Sequence, residues 1–462
     1  MLGDDRFKDD KLAQGCGLKP FASRPRLNLS RRSLLKTVPV SVFGASLGGL
    51  SWLHAAPSCA GARAKSVILI YAGGGISHHD SFDPKPEASA QVRGEFSAIS
   101  TAQSGISFTE LLPRLSRQSG QFTLIRSVHH DQTCHGVSAY FMLRGFKQPD
   151  PSFDRPEKQP RSTPNIGSQV ARLSRSSNGL PPYVCVPGLS YLADIGYYTA
   201  GWMGRVYDPF LLRADPNDPN FRVTRLALDE TVPTERLHRR WSLRRTLDDW
   251  ARGQEPSAAL QTVDTHYQKA FQTLTTKRAR QAFEIGQEPV TIRERYGRTH
   301  MGQSCLLARR LVEAGIPFIT VDDFDWDDHA RIFPALRKRL PVLDTALAAL
   351  LNDLNERGLL KTTLVALFTD FGRTPTVNKG AGRDHWPGVF TVLFAGAGVP
   401  GGQVVGASDP LGAQPAERPV SPKDLAATLY QFLGIDPFQD YRSVEDRPFK
   451  VLDEGRVIEE LL

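Results

Sequence analysis

The sequence predicts an α/β protein built around a mainly parallel sheet. Short apolar runs recur along the chain and each ends in a polar loop, and segments with helical periodicity lie between them. With 462 residues, 40% of them hydrophobic, the chain is long enough to bury one large core. Ligands of such sheets bind beyond the carboxyl ends of the strands, so the polar loops are where we expect a site.

Five apolar runs are predicted to be strands. The first has no alternating polar residues, which is typical of a strand covered on both faces. The runs are SVILIY (66–71) before AGGGISHHDSFD, FTLIRSV (122–128) before HHDQTCHG, IPFITV (316–321) before DDFDWDDH, TTLVALF (362–368) before TDFGRTP, and VFTVLFAG (389–396) before several glycines.

Helices are predicted between these strands. CLLARRLVEAG (305–315) and LDTALAALLNDLNERG (343–358) are amphipathic, and each ends in a glycine suited to a helix C-terminus. The charged, helical segments within residues 200–300 are interpreted as a helical insertion or cap over the sheet.

Residues 1–64 resemble an export signal of the twin-arginine type. SRRSLLK (30–36) precedes a 17-residue apolar stretch, and two A-x-A patterns end at Ala62 and Ala64. We therefore expect export to the periplasm or cell envelope, with the folded domain spanning residues 65–462. An uncleaved membrane anchor is the alternative, but no stable membrane span is expected after cleavage.

The net charge of +8 does not indicate nucleic-acid binding. Residues 1–64 carry ten Lys or Arg and four Asp, a net of +6, which leaves about +2 for all the rest. After the leader, Cys134, Cys185 and Cys305 form no C-x-x-C pair, so neither a disulfide framework nor a cysteine zinc site is expected.

Histidines and carboxylates concentrate in the loops after the predicted strands. Seven of the ten histidines beyond residue 64 lie there, and DDFDWDDH places five aspartates beside His329. Carboxylates this close repel one another unless a cation is near, and a His/Asp mixture suits zinc, manganese or iron. A metal site is therefore predicted from five residues on three loops: Asp327, His329, Asp370, Asp384 and His385. A single Asp or His in such loops is equally well explained as a turn or cap residue.

Arg373 in FGRTP has two interpretations. It either pairs with a carboxylate or holds a substrate oxyanion through two hydrogen bonds. Arg383 and Trp386, on either side of Asp384 and His385, are expected to shape the rim of the site.

Several longer strings resemble a known bacterial family, domain of unknown function 1501, within the alkaline phosphatase and sulfatase superfamily. They include GGGISHHDSFDPKP, CLLARRLVEAGIPFITV, WDDH, FGRTP, GRDHWP and DLAATLYQFLGIDP, and the resemblance runs from about residue 65 to about residue 440. It implies an alkaline-phosphatase-like, three-layer α/β/α fold with a dinuclear site of zinc, manganese or similar metals. It also implies a carboxylate ligand from the loop after the first strand, for which Asp80 is the best match.

The nucleophile departs from the superfamily pattern. Related esterases place Ser, Thr or Cys about ten residues before a glycine that ends a helix, whereas TCHGVSAYFMLRG has His135 at that distance from Gly145. Cys134 is not followed by P-S-R, so a formylglycine is not expected. Either His135 attacks phosphorus, or it ligates a metal, or Thr133 is the nucleophile.

The resemblance implies an exported, metal-dependent hydrolase of phosphate or sulfate esters, acting on small-molecule or glycan esters, with His135, Thr133 and Arg373 as candidate catalytic residues. A non-catalytic binding protein of the cell envelope on the same fold is the alternative.

Overall fold

A computed structural model of the chain describes residues 61–149, 162–174, 180–194, 196–223, 277–442 and 448–462. The strands are β1 Ser66–Gly73, β2 Ala98–Ser100, β3 Ser107–Thr109, β4 Phe122–Val128, β5 Tyr183–Val186, β6 Phe210–Leu211, β7 Phe318–Phe324, β8 Thr363–Thr369, β9 Gly372–Arg373, β10 His385–Trp386, β11 Phe390–Ala395, β12 Gln403–Val405, β13 Ala407–Ser408, β14 Pro415–Glu417, β15 Tyr441–Arg442 and β16 Pro448–Phe449. The helices are α1 Ala90–Arg93, α2 Pro113–Arg117, α3 His135–Arg144, α4 Ile166–Leu173, α5 Tyr191–Asp194, α6 Lys277–Phe283, α7 Val290–Arg295, α8 His300–Glu313, α9 Ile332–Glu356 and α10 Pro422–Phe432.

Eight strands form one central sheet in the order β12-β4-β11-β8-β1-β7-β5-β6. β1 pairs in parallel with both β7 and β8, β5 pairs in parallel with β6 and β7, and β12 pairs in parallel with β4. The predicted mainly parallel α/β fold is therefore confirmed.

Strand β11 is the exception, because it runs antiparallel to both of its neighbours, β4 and β8. Its beginning, and not its end, thus lies at the edge where β4, β7 and β8 finish. This is why His385 and Trp386, which precede β11, reach the same edge as the residues that follow the parallel strands. The prediction had treated the carboxyl end of this strand as part of that edge, which is wrong.

Helices cover both faces of the sheet and give three layers. Val67 and Leu69 of β1 belong to a core with α3, α4 and α10, whereas Ile68 and Ile70 belong to a core with α2, α8 and α9. All four side chains are at most 1% exposed. Each such burial contributes about 1.5–3 kcal/mol, so the continuous apolar sequence of β1 follows from its two-sided burial.

The helix predictions found the correct elements but set their starts too late. The helix predicted over 305–315 is α8, which begins five residues earlier at His300, where Thr299 caps it by accepting from the Gly302 amide. The helix predicted over 343–358 is α9, which has 25 residues and contains Pro341. Because proline removes a hydrogen-bond donor from a helix interior, the sequence favours a helix that starts after Pro341.

Two predictions lie wholly or mostly outside the described residues. The export signal falls on residues 1–64, of which only the last four are described, and most of the helical insertion falls on residues 224–276. Both stay predictions. Among the described residues, none of the helices combines the length and apolar character that a transmembrane span requires.

Candidate metal site

Four connections meet at the carboxyl edge of the parallel strands. His135 is the first residue of α3 after β4, Asp327 follows β7, Asp370 follows β8, and His385 lies in β10 just before β11. β10 pairs with β9, and His385 stands opposite Arg373 in this ladder. The sheet topology therefore brings together residues as far apart in sequence as His135 and His385.

Ring nitrogens of three histidines surround the carboxylate of Asp327. His135 Nε2 lies 3.1 Å from Asp327 Oδ2. His329 Nε2 and His385 Nε2 lie 3.0 and 3.2 Å from Oδ1 of the same carboxylate. The two Nε2 atoms of His329 and His385 are 2.9 Å apart. The potential ligand atoms of His135, Asp327 and His385 all lie within 4.8 Å of one another. This is a nitrogen and oxygen donor set of the kind that zinc and manganese accept.

The opposite nitrogen of each histidine is held by an acceptor. His135 Nδ1 lies 2.7 Å from Asp370 Oδ2, and His329 Nδ1 lies 2.7 Å from Asp384 Oδ1. His385 Nδ1 lies 2.7 Å from the backbone oxygen of Thr133. Because carboxylates and carbonyls only accept, each Nδ1 carries the proton and donates it. In the neutral ring this leaves the lone pair on Nε2, as in histidines that bind metals.

The surroundings of His135 Nε2 show whether the residues of the cluster fit a cation. It is buried and makes no hydrogen bond of proper geometry, although it contacts the Asp327 carboxylate. Burial lowers the pKa of His135, but Asp327 and Asp370 outweigh this and raise it to about 9. The surroundings thus favour a positive charge at this point, supplied by a proton or by a metal ion. The donor set fits a divalent metal.

Asp327 is kept ionised by its neighbours. Burial raises the pKa of its carboxyl, but contacts with His135, His385 and Arg373 hold the pKa well below its usual range. Arg373 Nη2 donates to Asp327 Oδ1 at 2.6 Å.

Arg373 is fully buried, and its contacts are with the protein. Nε donates to the Gly75 carbonyl at 3.0 Å, Nη1 to the Arg383 carbonyl at 3.1 Å, and Nη2 to the Trp326 carbonyl at 3.1 Å. The carboxylate pairing predicted as one interpretation is present. Its predicted contact with a substrate stays a prediction.

Asp370 and Asp384, both predicted as metal ligands, contact the histidines and not the centre of the cluster. Asp370 is fully buried and accepts from the Gly74 amide at 2.9 Å and from the Tyr71 hydroxyl, besides His135. Asp384 accepts from His329, which lowers the pKa of its carboxyl. Both carboxylates therefore orient histidine rings in this arrangement, and their predicted role as metal ligands stays a prediction.

Asp80 lies apart from the cluster. It is fully buried and paired with Arg383, whose Nε donates to Asp80 Oδ2 at 2.7 Å, and Ser77 Oγ donates to the same oxygen at 2.5 Å. The predicted position of Arg383 at the rim is wrong, because none of its side chain is exposed. Trp386 is half-buried and donates its indole N–H to the Ala413 carbonyl at 2.6 Å. Thr133 is exposed, and its backbone joins the site through His385.

Two glycines allow the loop after β1 and the loop before β10 to approach the loop after β7. A Cβ atom on Gly74, whose φ is +110°, would lie 2.7 Å from the Trp326 nitrogen, and one on Gly382 would lie 2.2 Å from the His329 carbonyl carbon. Side chains at these positions would displace the backbone that carries Asp327 and His329.

Two further residues belong to the site and were not predicted. Asn378 Nδ2 donates to the His329 carbonyl at 2.9 Å and contacts Asp384 Oδ1 at 3.3 Å. His130 Nε2 donates to the Asp370 carbonyl at 2.7 Å, and burial lowers the pKa of His130 to about 4, so it stays neutral. Asn378 had only a turn signature in NKGAG, which indicates a loop and not its partners.

The fold is similar to several solved structures at low identity. One is a protein in the alkaline phosphatase superfamily from Vibrio parahaemolyticus, with TM-score 0.41, 12% identity and coverage of 82% of this chain and 69% of that one. Another is the phosphonate monoester hydrolase of Agrobacterium radiobacter, with TM-score 0.38, 13% identity and coverage of 86% and 77%. A third is the lipoteichoic acid synthase LtaP from Listeria monocytogenes, with TM-score 0.37, 9% identity and coverage of 82% and 75%. These values are too low to carry an assignment of activity.

No curated protein sequence matches the chain. Residues 64–462 match the family model described as "Protein of unknown function (DUF1501)", and the chain therefore belongs to that family, as its motifs predicted.

Proposed function

We propose that this protein is an exported, metal-dependent hydrolase of phosphate or sulfate esters that does not use a formylglycine. The observation that carries the proposal is the arrangement of His135, His329 and His385 around Asp327, with every outer ring nitrogen held by an acceptor. A purely structural cluster has no need to direct three Nε2 atoms toward one carboxylate.

These four residues would hold a divalent metal, and the chemistry it would supply is polarisation of an ester oxygen and stabilisation of developing negative charge. Asp370, Asp384 and the Thr133 carbonyl fix the tautomers and orientations of the three histidines. Arg373 neutralises part of the charge on Asp327 and keeps its carboxylate in place. We propose two zinc, manganese or similar ions, as the family resemblance implies. The donor set of three histidines and Asp327 supports at least one of them.

We assign the attacking group to Thr133. Both nitrogens of His135 are engaged, one with Asp370 and one facing Asp327, which leaves this ring poorly placed to attack. The main chain of Thr133 is fixed beside His385, and its side chain is exposed. Bond formation from Thr133 Oγ to phosphorus or sulfur releases the alcohol with the bonding electrons, and water then releases the acid from the threonine.

Elemental analysis of the folded protein tests the metal site. We expect bound zinc or manganese in the wild type, and its loss in His385→Ala and Asp327→Asn without unfolding. His300→Ala is the matched control, because His300 lies in α8 and pairs with Asp215, outside the cluster. A protein that stays metal-free after incubation with both ions would overturn the proposal and favour the non-catalytic binding protein.

Turnover of p-nitrophenyl phosphate and p-nitrophenyl sulfate tests the nucleophile. We expect Thr133→Ala to keep its metal and lose at least 100-fold in kcat, whereas Cys134→Ala, at the neighbouring exposed position, keeps both. Full activity in Thr133→Ala would reject the threonine without rejecting metal-dependent hydrolysis.

Export rests on the pattern of residues 1–64 and has its own test. A reporter that folds in the cytoplasm, fused behind these residues, should reach the periplasm, and replacement of Arg31 and Arg32 by lysine should retain it inside. Export that persists in the double variant would reject the twin-arginine route.

A further inference from the structure

A cavity of about 840 Å³ lies beside the metal site and has no part in the proposed chemistry. Its described lining comes from three parts of the chain: residues 129–131 with Phe141 of α3 and Lys147, the first turn of α10 with Phe438, and residues 453–456. A volume of this size falls in the range of sites that take drug-sized ligands. The cavity is therefore large enough for several sugar units or a molecule of similar size.

The walls of the cavity are held firmly together. Lys423 of α10 pairs with Asp453 at 3.1 Å and also with Glu454, and the Arg456 amide donates to Asp424 Oδ1 at 2.7 Å. On the opposite side, Lys147 pairs with Asp131 at 2.6 Å. The partly buried ammonium of Lys423 is thus held in place before a ligand binds, which reduces the entropy lost on binding, whereas Lys147 and Asp131 form an exposed pair.

The charges of the lining argue against an anionic ligand. Three cationic side chains, Lys147, Lys423 and Arg456, face four carboxylates, and both lysines are already paired. A sulfate or phosphate group entering here would meet more negative than positive charge. Paired carboxylates and ammonium groups still offer hydrogen bonds to neutral hydroxyls.

Aromatic rings supply the apolar part of the cavity. Phe438 is 37% exposed, and His130 and Phe141 pack against each other with ring centroids 6.0 Å apart. Both ring nitrogens of His130 are engaged: Nε2 donates to the Asp370 carbonyl and Nδ1 accepts from the Gln132 amide at 3.1 Å. A ligand with an apolar face and many hydroxyl groups matches this combination of rings and hydrogen-bonding groups.

The cavity shares one chain segment with the metal site. His129, His130 and Asp131 line the cavity, and Thr133, two residues on, positions His385 through its carbonyl. We propose that the cavity binds uncharged sugar units of a glycan whose ester group reaches the metal site. This deepens the proposed function and rests on it for the identity of the ester, while the binding of neutral sugar stands on the cavity alone.

Titration of the full-length protein with neutral hexasaccharides tests the inference. The probes are cellohexaose, laminarihexaose, xylohexaose, mannohexaose and neoagarohexaose, with fucoidan and carrageenan as sulfated counterparts. We expect at least one neutral probe to bind, and Phe438→Ala to weaken that binding at least tenfold. Val290→Ala, which truncates an apolar side chain that is 65% exposed in α7, is the matched control and should bind as the wild type does.

The same titration in Asp327→Asn separates the two proposals. Neutral sugar should still bind when the metal is lost, so a failed metal site would not erase the signal. Three results would overturn the cavity proposal: binding of sulfated chains only, binding of no probe, or unchanged binding in Phe438→Ala.

Discussion

Different acceptors hold the three histidines of the site, and this difference has consequences at the scale of single residues. His135 and His329 donate to the carboxylates of Asp370 and Asp384, whereas His385 donates to a backbone carbonyl. A carboxylate increases the basicity of the ring more than a carbonyl does, so the rings would not be equivalent as ligands in the proposed metal site. Only the two carboxylate contacts are open to change by substitution.

Asp384→Asn should weaken metal affinity by about 10–100-fold and leave the site able to bind, because it removes a charge behind His329 and not a ligand. Competition with a chelator of known affinity measures this. Asp194→Asn, which changes an exposed carboxylate paired with Arg213, is the control. Complete loss of metal would instead mean that Asp384 is itself a ligand, as the sequence alone had predicted.

Asp80→Ala should destabilise the protein by about 3–5 kcal/mol, since it leaves the fully buried Arg383 without its partner. Chemical denaturation measures the change in the free energy of unfolding. The folded fraction should keep its metal, because Asp80 contacts no residue of the cluster in this arrangement.

Glu95→Ala breaks the exposed pair with Arg337 and serves as the control, with little expected effect. If Asp80→Ala loses metal while it remains folded, the carboxylate is a ligand after all.

Asp322 makes stability depend on pH. Burial raises the pKa of its carboxyl to about 6, and hydrogen bonds from Ser190 and Tyr198 only partly oppose this. A raised pKa in the folded state means that the stabilisation is complete below the unfolded value of 3.8 and is lost as pH rises through about 6. Relative to Asp322→Asn, which cannot ionise, the wild type should lose about 2 kcal/mol between pH 4 and pH 7. Urea denaturation of both proteins across this range is the measurement, and parallel pH profiles would contradict the prediction.

At the scale of loops and strands, the site depends on close backbone contact between the loop after β7 and the loop before β10. Arg383 donates its amide to the Asp328 carbonyl at 3.2 Å, and the Arg331 amide donates to the Gly380 carbonyl at 2.9 Å. Backbone hydrogen bonds therefore join the two loops, and a side chain inserted between them should displace His329.

Gly382→Ala should disrupt the metal site, because its Cβ would lie 2.2 Å from the His329 backbone. We expect at least a tenfold loss of metal affinity, measured by titration with zinc. Gly380→Ala is a close control: its Cβ would meet no atom nearer than 3.3 Å, and it should bind metal normally. Equal behaviour of the two variants would mean that the loops separate easily.

At the scale of the whole molecule, the sequence predicted what depends on local patterns. The apolar runs of β1, β4, β7, β8 and β11 were recognisable because strands buried on both faces must be apolar throughout. The candidate metal site was also recognisable from local composition, because His and Asp are concentrated in the loops after the predicted strands. The direction of β11 was not predictable, since direction is set by pairing with β8 and with β4, and β4 is far away in sequence.

Pairing also explains what the sequence missed within the site. Asp370 and Asp384 carried the right chemistry for ligands, but only the three-dimensional arrangement gives each of them a histidine to orient. Asp80, expected as a ligand by its position after β1, is paired with Arg383, some 300 residues later, and its role as a ligand stays a prediction. Composition identifies which residues are available, and topology decides which of them meet.

The contact between Thr133 and His385 joins residues 252 positions apart. A contact between residues this far apart forms late in folding, because the chain must first assemble β4, β8 and β11 in their final order. A chain that stalls before β11 joins the sheet would lack His385 at the cluster, so the proposed site would bind a metal more weakly. Binding of the proposed metal would then report that folding is complete.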